Sequence, residues 1–371
     1  MDASRSLGDG KRLMCFITKL TLRLCALGAL TFSTALAAPA EKKPATPEQT
    51  AAEPKRANEF FDQKFDDYVA RHPQIASQLG LKIGYDKWDD LSDAAAAQDL
   101  AISLENLAEL KRKFDFNKLD PQTQLSWRLL EQDVERNAAG FRYRFHNYPI
   151  NQMHAWHTMV PTFLMNIHRV DNLSDAEAYI ARLKGVAAQG GQVIANLEKR
   201  AALGIVAPKF VFPLVLDASR KLLQGRPFTE SDGDSTVMAD FTKKVGALKE
   251  LDDATRNRLL GEAKQALLTS FQPAYRKLIA YLEQQEKTAT DDVGAWRFPD
   301  GRHFYEYALQ RTTTTNLTAD EIHDLGLKEV ERIHGEMRQI MQKVGFKGDL
   351  QAFLKFMRTD PQFYLPDTDA G

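Results

Sequence analysis

One short run, Leu317-Thr318-Ala319-Asp320-Glu321-Ile322, constrains this chain more than any other. Thr318 followed three residues later by Glu321 is a capping box. The hydroxyl accepts from the amide three residues on, and the glutamate reaches back to the threonine's own amide. Leu317 and Ile322 form the hydrophobic staple around it. Downstream, Ile322, Leu325, Val330, Ile333, Met337, Ile340, Met341 and Val344 recur at helical spacing, and Gly345 supplies the stop. A long amphipathic helix has to lay that face on other apolar surface, so a chain built this way folds by stacking helices.

The rest of the body reads the same way. Asn58–Arg71 places Phe60, Phe61, Phe65 and Val69 at near-helical spacing. Residues 94–114 put Leu100, Leu104, Leu107 and Leu110 on one side. Asp120 caps a helix whose first position is Pro121, where the missing N–H costs nothing, and Gly140 ends it. Ser174 with Glu177 reads as a second capping box, opening a helix toward Arg200 with a kink at Gly190-Gly191 and a stop at Gly204. Further helices are predicted over 237–249, 253–286 (with Pro273 as a kink or a start) and 349–359. Strand signals are scarce: there is no Asn-Gly hairpin and no sustained two-residue alternation. The predicted class is all-α, a large helical domain over residues 55–371. It ends on the aromatic, Pro-bounded segment Asp360–Pro366 with no closing element, as an incomplete domain would.

The first 54 residues differ in kind. Lys11, Arg12, Lys19 and Arg23 form a basic region, and an apolar stretch from Leu24 to Ala37 follows it. That stretch ends in Ala35-Leu36-Ala37 and is shorter than the roughly 20 residues a spanning helix needs. This is the pattern of a secretory signal peptide over residues 1–37, cleaved after Ala37. An uncleaved membrane anchor is the alternative, and Met14 is an alternative start. Residues 38–54 read as a disordered Pro/Ala/charged linker. Both cysteines, Cys15 and Cys25, leave with the signal, which suits a mature chain in an oxidising periplasm and no membrane attachment after cleavage.

Charge and motifs remove most function classes. The chain has 49 basic and 50 acidic residues among 371, so nothing points to a nucleic-acid partner. There is no phosphate loop, no dinucleotide fingerprint, no nucleophile elbow and no His-Glu-x-x-His. Four residues remain as candidates for a substrate cleft. His154 and His157, three apart, would share a helical face and both reach one metal; the alternative is two satisfied histidines at a polar helix start. Tyr305 and Arg311 supply a phenol and a fixed cation, suited to carbonyl polarisation or carboxylate binding; the alternative is a helix ending in a Thr-rich loop. His323 and His334, 11 apart on one helix, are separated by roughly 16 Å and cannot share an ion. The aromatic run Phe141, Tyr143, Phe145 and Tyr148, with Arg142 and Arg144 between, either lines a cleft or packs on the core.

Three stretches together carry a family resemblance: Phe60-Phe61-Asp62 with Tyr68, His72-Pro73 and Leu79-Gly80; Asn151-Gln152 before Trp156; and Gly301 to Ile333 through the capping box. Over residues 56–366 the chain resembles the bacterial domain-of-unknown-function 885 family. The resemblance implies an exported, largely helical protein similar to zinc metallopeptidases, with peptides as possible substrates and zinc as cofactor in complete members. Members are longer, and their His-Glu-x-x-Pro-Gly-His metal motif has no match here. The resemblance therefore implies a catalytically inactive N-terminal portion, no metal site and no cofactor in this chain, and leaves its status as an enzyme open. A stable helical periplasmic binding or scaffold protein is the alternative, and an enzyme using His154, His157, Tyr305 or Arg311 a third. Oligomeric state and substrate are not legible.

Overall fold

The computed structural model describes residues 47–371. The expected signal segment with its cleavage point after Ala37, and residues 38–46 of the expected linker, lie outside the described residues. Among the described residues every named element is helical, as expected, and the one β contact is an isolated bridge between Arg226 and Asp234. The helices are α1 (Pro47–Arg71), α2 (Pro73–Gln78), α3 (Asp93–Lys113), α4 (Pro121–Gly140), α5 (Trp156–Asn166), α6 (Leu173–Ala202), α7 (Val211–Lys221), α8 (Thr236–Gly246), α9 (Asp253–Ala266), α10 (Gln272–Glu286), α11 (Gly301–Thr313), α12 (Ala319–Lys343) and α13 (Leu350–Thr359).

Several local expectations are corrected. The linker ends early: α1 starts at Pro47 and carries Pro54 inside it. Gln49, Ala51, Ala52 and Glu53 are good helix formers that extend the helix across the proline. The cap of α6 is Asn172, whose side chain accepts from the Asp175 amide at 3.0 Å; Ser174 sits inside the first turn, and Glu177 pairs with Arg258 instead. Asparagine is among the best N-caps and comes first along the chain. As expected, α6 stops just before Gly204, which takes a positive φ. Gly190 serves close packing, since a Cβ there would stand 3.0 Å from the Trp156 ring and 3.3 Å from the Ala274 Cβ. Between α9 and α10 the turns widen into a π-helical segment, Leu267–Phe271, just before Pro273. A π-turn absorbs the hydrogen bond that proline cannot make.

The main core surrounds α6. Tyr179, Ile180, Leu183 and Val186 meet Phe212 and Val215 of α7, Phe241 and Val245 of α8, Leu259 of α9, and Phe271, Tyr275 and Leu278. Phe271 and Tyr275 stack at 4.4 Å, and Trp156 lies on Tyr275 at 5.3 Å. A second core joins α1, α3 and α4 through Ala57, Phe60, Leu107, Leu110, Phe114, Trp127 and Val134. Each fully buried side chain of this size contributes roughly 1.5–3 kcal/mol.

Arg182 of α6 ties α2 and the following loop to the main core. It is fully buried. Its Nε donates to the Lys87 carbonyl (3.0 Å) and its Nη2 to Ser77 Oγ (2.8 Å), while Nη1 donates to His168 Nδ1 (2.9 Å). The rings of Tyr85, Trp88 and Phe163 enclose the guanidinium. Burial lowers its pKa to about 10. This cage fixes where α2 begins, and so where His72 stands.

The strongest sequence signal gives a helix with a single buried residue. The capping box of α12 forms in full, with Thr318 Oγ1 accepting from the Glu321 amide and Glu321 Oε2 accepting from the Thr318 amide at 2.8 Å. Yet of its apolar face only Met341 is buried. Leu325 and Val330 are each 50% exposed, Ile340 51% and Val344 64%. The helix packs on α13, and among the described residues most of its apolar face stays exposed.

Candidate functional site

The four candidate residues do not come together. α5 starts at Trp156, so His154 lies in the turn before it and the two histidines share no helix face. His154 lines a hollow of about 390 Å³ with Trp156, Gln189, Asn196 and Arg200. His157 points into the core, where burial lowers its pKa to about 4 and its Nδ1 has no partner among the described residues. Tyr305 is 47% exposed and faces away from the helices that α11 packs on. Arg311 lines a larger groove.

That groove, about 720 Å³, runs between α1, α3 and α4, and Arg311 of α11 contributes to its lining. Its construction follows from helical spacing. Phe61, Lys64, Phe65, Tyr68 and Arg71 form one stripe of α1, with His72 next to it. Leu100, Ser103 and Asn106 face it from α3, and Leu130, Asp133, Val134 and Asn137 from α4. Lys64–Glu109 (2.7 Å) and Arg71–Asp99 (3.5 Å) show that α1 and α3 run antiparallel.

α11 is seated by its own aromatic residue. Tyr307 donates to the Arg136 carbonyl at 2.9 Å and rests on Gly140, where a Cβ would stand 2.0 Å from the hydroxyl oxygen. Glycine is therefore required there by close approach. Tyr143 packs on Phe304 and Tyr307, at 5.5 and 5.4 Å, so part of the aromatic run holds α11 in place. Arg311 lies one turn after Tyr307 and so falls over the groove, beside Asn137, whereas Tyr305, two residues before Tyr307, is carried to the opposite side.

Polar groups line the groove between the apolar rings. Tyr68 stacks on His72 with centroids 4.0 Å apart. His72 Nδ1 lies 2.7 Å from the Tyr68 carbonyl and Nε2 lies 3.1 Å from Asp99 Oδ2. Burial, then the negative charges of Asp99 and Asp89, raise the Tyr68 phenol's pKa, so it stays a protonated donor. Arg144 is held by Asp93 at 2.7 Å. Arg311 touches only Asn137 Oδ1, at 3.4 Å, and Asn137 in turn donates to Asp133 at 3.0 Å. Chemically the groove offers guanidinium groups, apolar rings along its length, and amide and hydroxyl side chains between them. Sequence reasoning passed over Tyr68, Arg71, His72 and Asp99. The signal was the spacing of 61, 64, 65, 68 and 71, which repeats on one face of α1, with His72 next to it.

A second hollow of about 770 Å³ is formed almost wholly by the loop from Arg226 to Asp234, with Arg226 and Asp234 paired to each other at 2.9 Å. Among the described residues no three His, Cys, Asp or Glu side chains lie together so as to hold a metal ion. The residues present therefore do not fit the zinc that the family resemblance implies for complete members. No helix among the described residues is long and apolar enough to cross a membrane.

Comparison with known proteins bears on the fold. The chain is similar to the putative lipoprotein from Colwellia psychrerythraea, with a TM-score of 0.67 and 19% sequence identity over 86% of this chain. It spans only 56% of that protein's length. At that identity the likeness shows a shared helical fold alone. No curated protein matches the chain. The model of a bacterial protein family of unknown function, DUF885, matches residues 73–371, most of the body from α2 onward. The chain belongs to the DUF885 family.

Proposed function

We propose that this chain is a periplasmic helical module that forms one wall of a peptide-binding cleft, and that polypeptide outside it supplies the opposite wall and any metal-ligating chemistry. The observation that carries this reading is the uncovered apolar face of α12, a helix with a complete cap and a continuous stripe that the described residues leave half-exposed. A face of this kind marks an interaction surface. The structural relative's greater length, of which this chain spans 56%, supports the same reading. Export rests on the basic and apolar N-terminal pattern, and the lipoprotein description of the relative agrees with it.

By itself the chain is inactive as a zinc peptidase, because a catalytic zinc needs about three protein ligands and the described residues bring no such set together. The test is an assay of the purified chain on fluorogenic peptides with added zinc. No hydrolysis above buffer is expected; hydrolysis that appears with zinc and vanishes with chelator would refute the reading. N-terminal sequencing of the protein from the periplasmic fraction tests export, with Ala38 expected as the first residue.

A second reading, a non-catalytic binding or scaffold protein, is favoured by the two closed cores around α6 and around α1, α3 and α4. It predicts a monomeric chain with a cooperative thermal melt, where a module needing its partner to fold would aggregate.

A further inference from the structure

We propose that the groove between α1, α3 and α4 binds the carboxyl-terminal end of an extended peptide, with the terminal carboxylate on Arg311 and an aromatic or branched aliphatic side chain against Phe65, Phe61 and Leu100. The inference deepens the reading of this chain as a cleft wall and rests on it.

Three of the four groove cations are already held by acids: Lys64 by Glu109 (2.7 Å), Arg71 by Asp99 (3.5 Å) and Arg144 by Asp93 (2.7 Å). Arg311 has no carboxylate within salt-bridge distance among the described residues, and its one contact is an amide oxygen at 3.4 Å. It nonetheless stands at a defined place, because Tyr307 locks the preceding turn into the notch at Gly140. The acids of the groove are engaged elsewhere, Asp99 by Arg71 and His72 and Asp133 by Asn137. A guanidinium fork presented in this way matches a carboxylate.

From Phe61 to Arg71 the α1 stripe is roughly 15 Å long, room for about four residues of extended chain. Phe65 is 53% exposed along it, although the residue is large and apolar. Asn106, half-buried in the opposite wall, makes no hydrogen bond among the described residues, and so leaves an amide for a peptide group. Alternating apolar and amide-bearing contacts suit a peptide. A bare hydrocarbon tail would leave the amides beneath it unpaired, which costs binding.

Fluorescence anisotropy with fluorescein-labelled Ala-Ala-Leu-Phe tests this on the full chain. The free acid is expected to bind about tenfold more tightly than the same peptide as its C-terminal amide, the worth of one charge-assisted hydrogen bond. Arg311→Gln should abolish that difference, while Arg311→Lys should keep part of it. Arg311 is exposed, and an unchanged thermal melt of each variant confirms that the fold is retained. Equal affinity for acid and amide, binding by neither, or tighter binding of decanoate than of the peptide acid would overturn the proposal. Zinc-dependent hydrolysis of these peptides would overturn the inactive-module reading instead and leave the acid-to-amide ratio as it was, so the two failures are distinguishable.

Discussion

Arg182→Met is the sharpest test of how the fold holds the groove. Methionine refills much of the volume between Tyr85, Trp88 and Phe163, but it donates nothing. The Lys87 carbonyl, Ser77 Oγ and His168 Nδ1 then lose donors at 3.0, 2.8 and 2.9 Å in a site from which water is excluded. Each such orphaned group costs about 1–3 kcal/mol. Part of that loss is offset because a guanidinium no longer has to be desolvated, the same penalty that lowers its pKa to about 10. The expected net loss is about 3–5 kcal/mol of unfolding free energy. Urea unfolding followed by tryptophan fluorescence reads it, since Trp88 Nε1 donates to the Arg182 carbonyl at 2.7 Å. Arg182→Lys should lose nearly as much, because one ammonium cannot span acceptors set around a planar fork. A loss below about 1 kcal/mol for the methionine variant would show that the cage does not anchor α2, and the argument would fail.

Two further outcomes are expected. Burial lowers the pKa values of His157 to about 4 and His168 to about 3 from the ordinary 6.5. Above pH 6.5 both are neutral in the folded and unfolded chains; as the pH falls below 6.5 the unfolded chain takes up protons that the folded one refuses. Between pH 7 and pH 5 these two residues should together cost about 4 kcal/mol of stability, and denaturant melts at the two pH values showing less than about 1 kcal/mol would contradict their neutral burial. At the start of α6, Asn172→Ala should cost about 1 kcal/mol while Ser174→Ala stays within about 0.5 kcal/mol; thermal melts with the reverse order would restore the serine as the cap.

What the sequence made legible were the elements announced by local chemistry. Asp120-Pro121 and Thr318 with Glu321 mark helix starts that the structure reproduces. α2, α5 and α7 escaped because they begin at His72, Ala155 and Phe210, none of which makes a side-chain cap. They are short, and packing holds them where propensity does not. The Ser174 error has the same origin: two good caps lie two residues apart, and only the tertiary setting selects Asn172. The groove was the least legible part. Its residues come from α1, α3, α4 and α11, and no local pattern brings Tyr68 to Asp99 or Asn137 to Arg311. Arg311 was singled out for its chemistry, yet its companion Tyr305 is turned away by the seating of Tyr307.

On the proposed reading, the apolar face of α12 meets polypeptide outside this chain and contributes little to the chain's own stability. The most direct test is the unfolding free energy of Val330→Lys/Ile340→Lys, measured by denaturant melts beside the unaltered protein and paired with binding of a hydrophobic dye. The account predicts a change within about 0.5 kcal/mol together with weaker dye binding, because both positions are half-exposed. A loss of more than about 2 kcal/mol, the cost expected of a buried core position, would place that face inside this chain's own core and contradict the proposed wall.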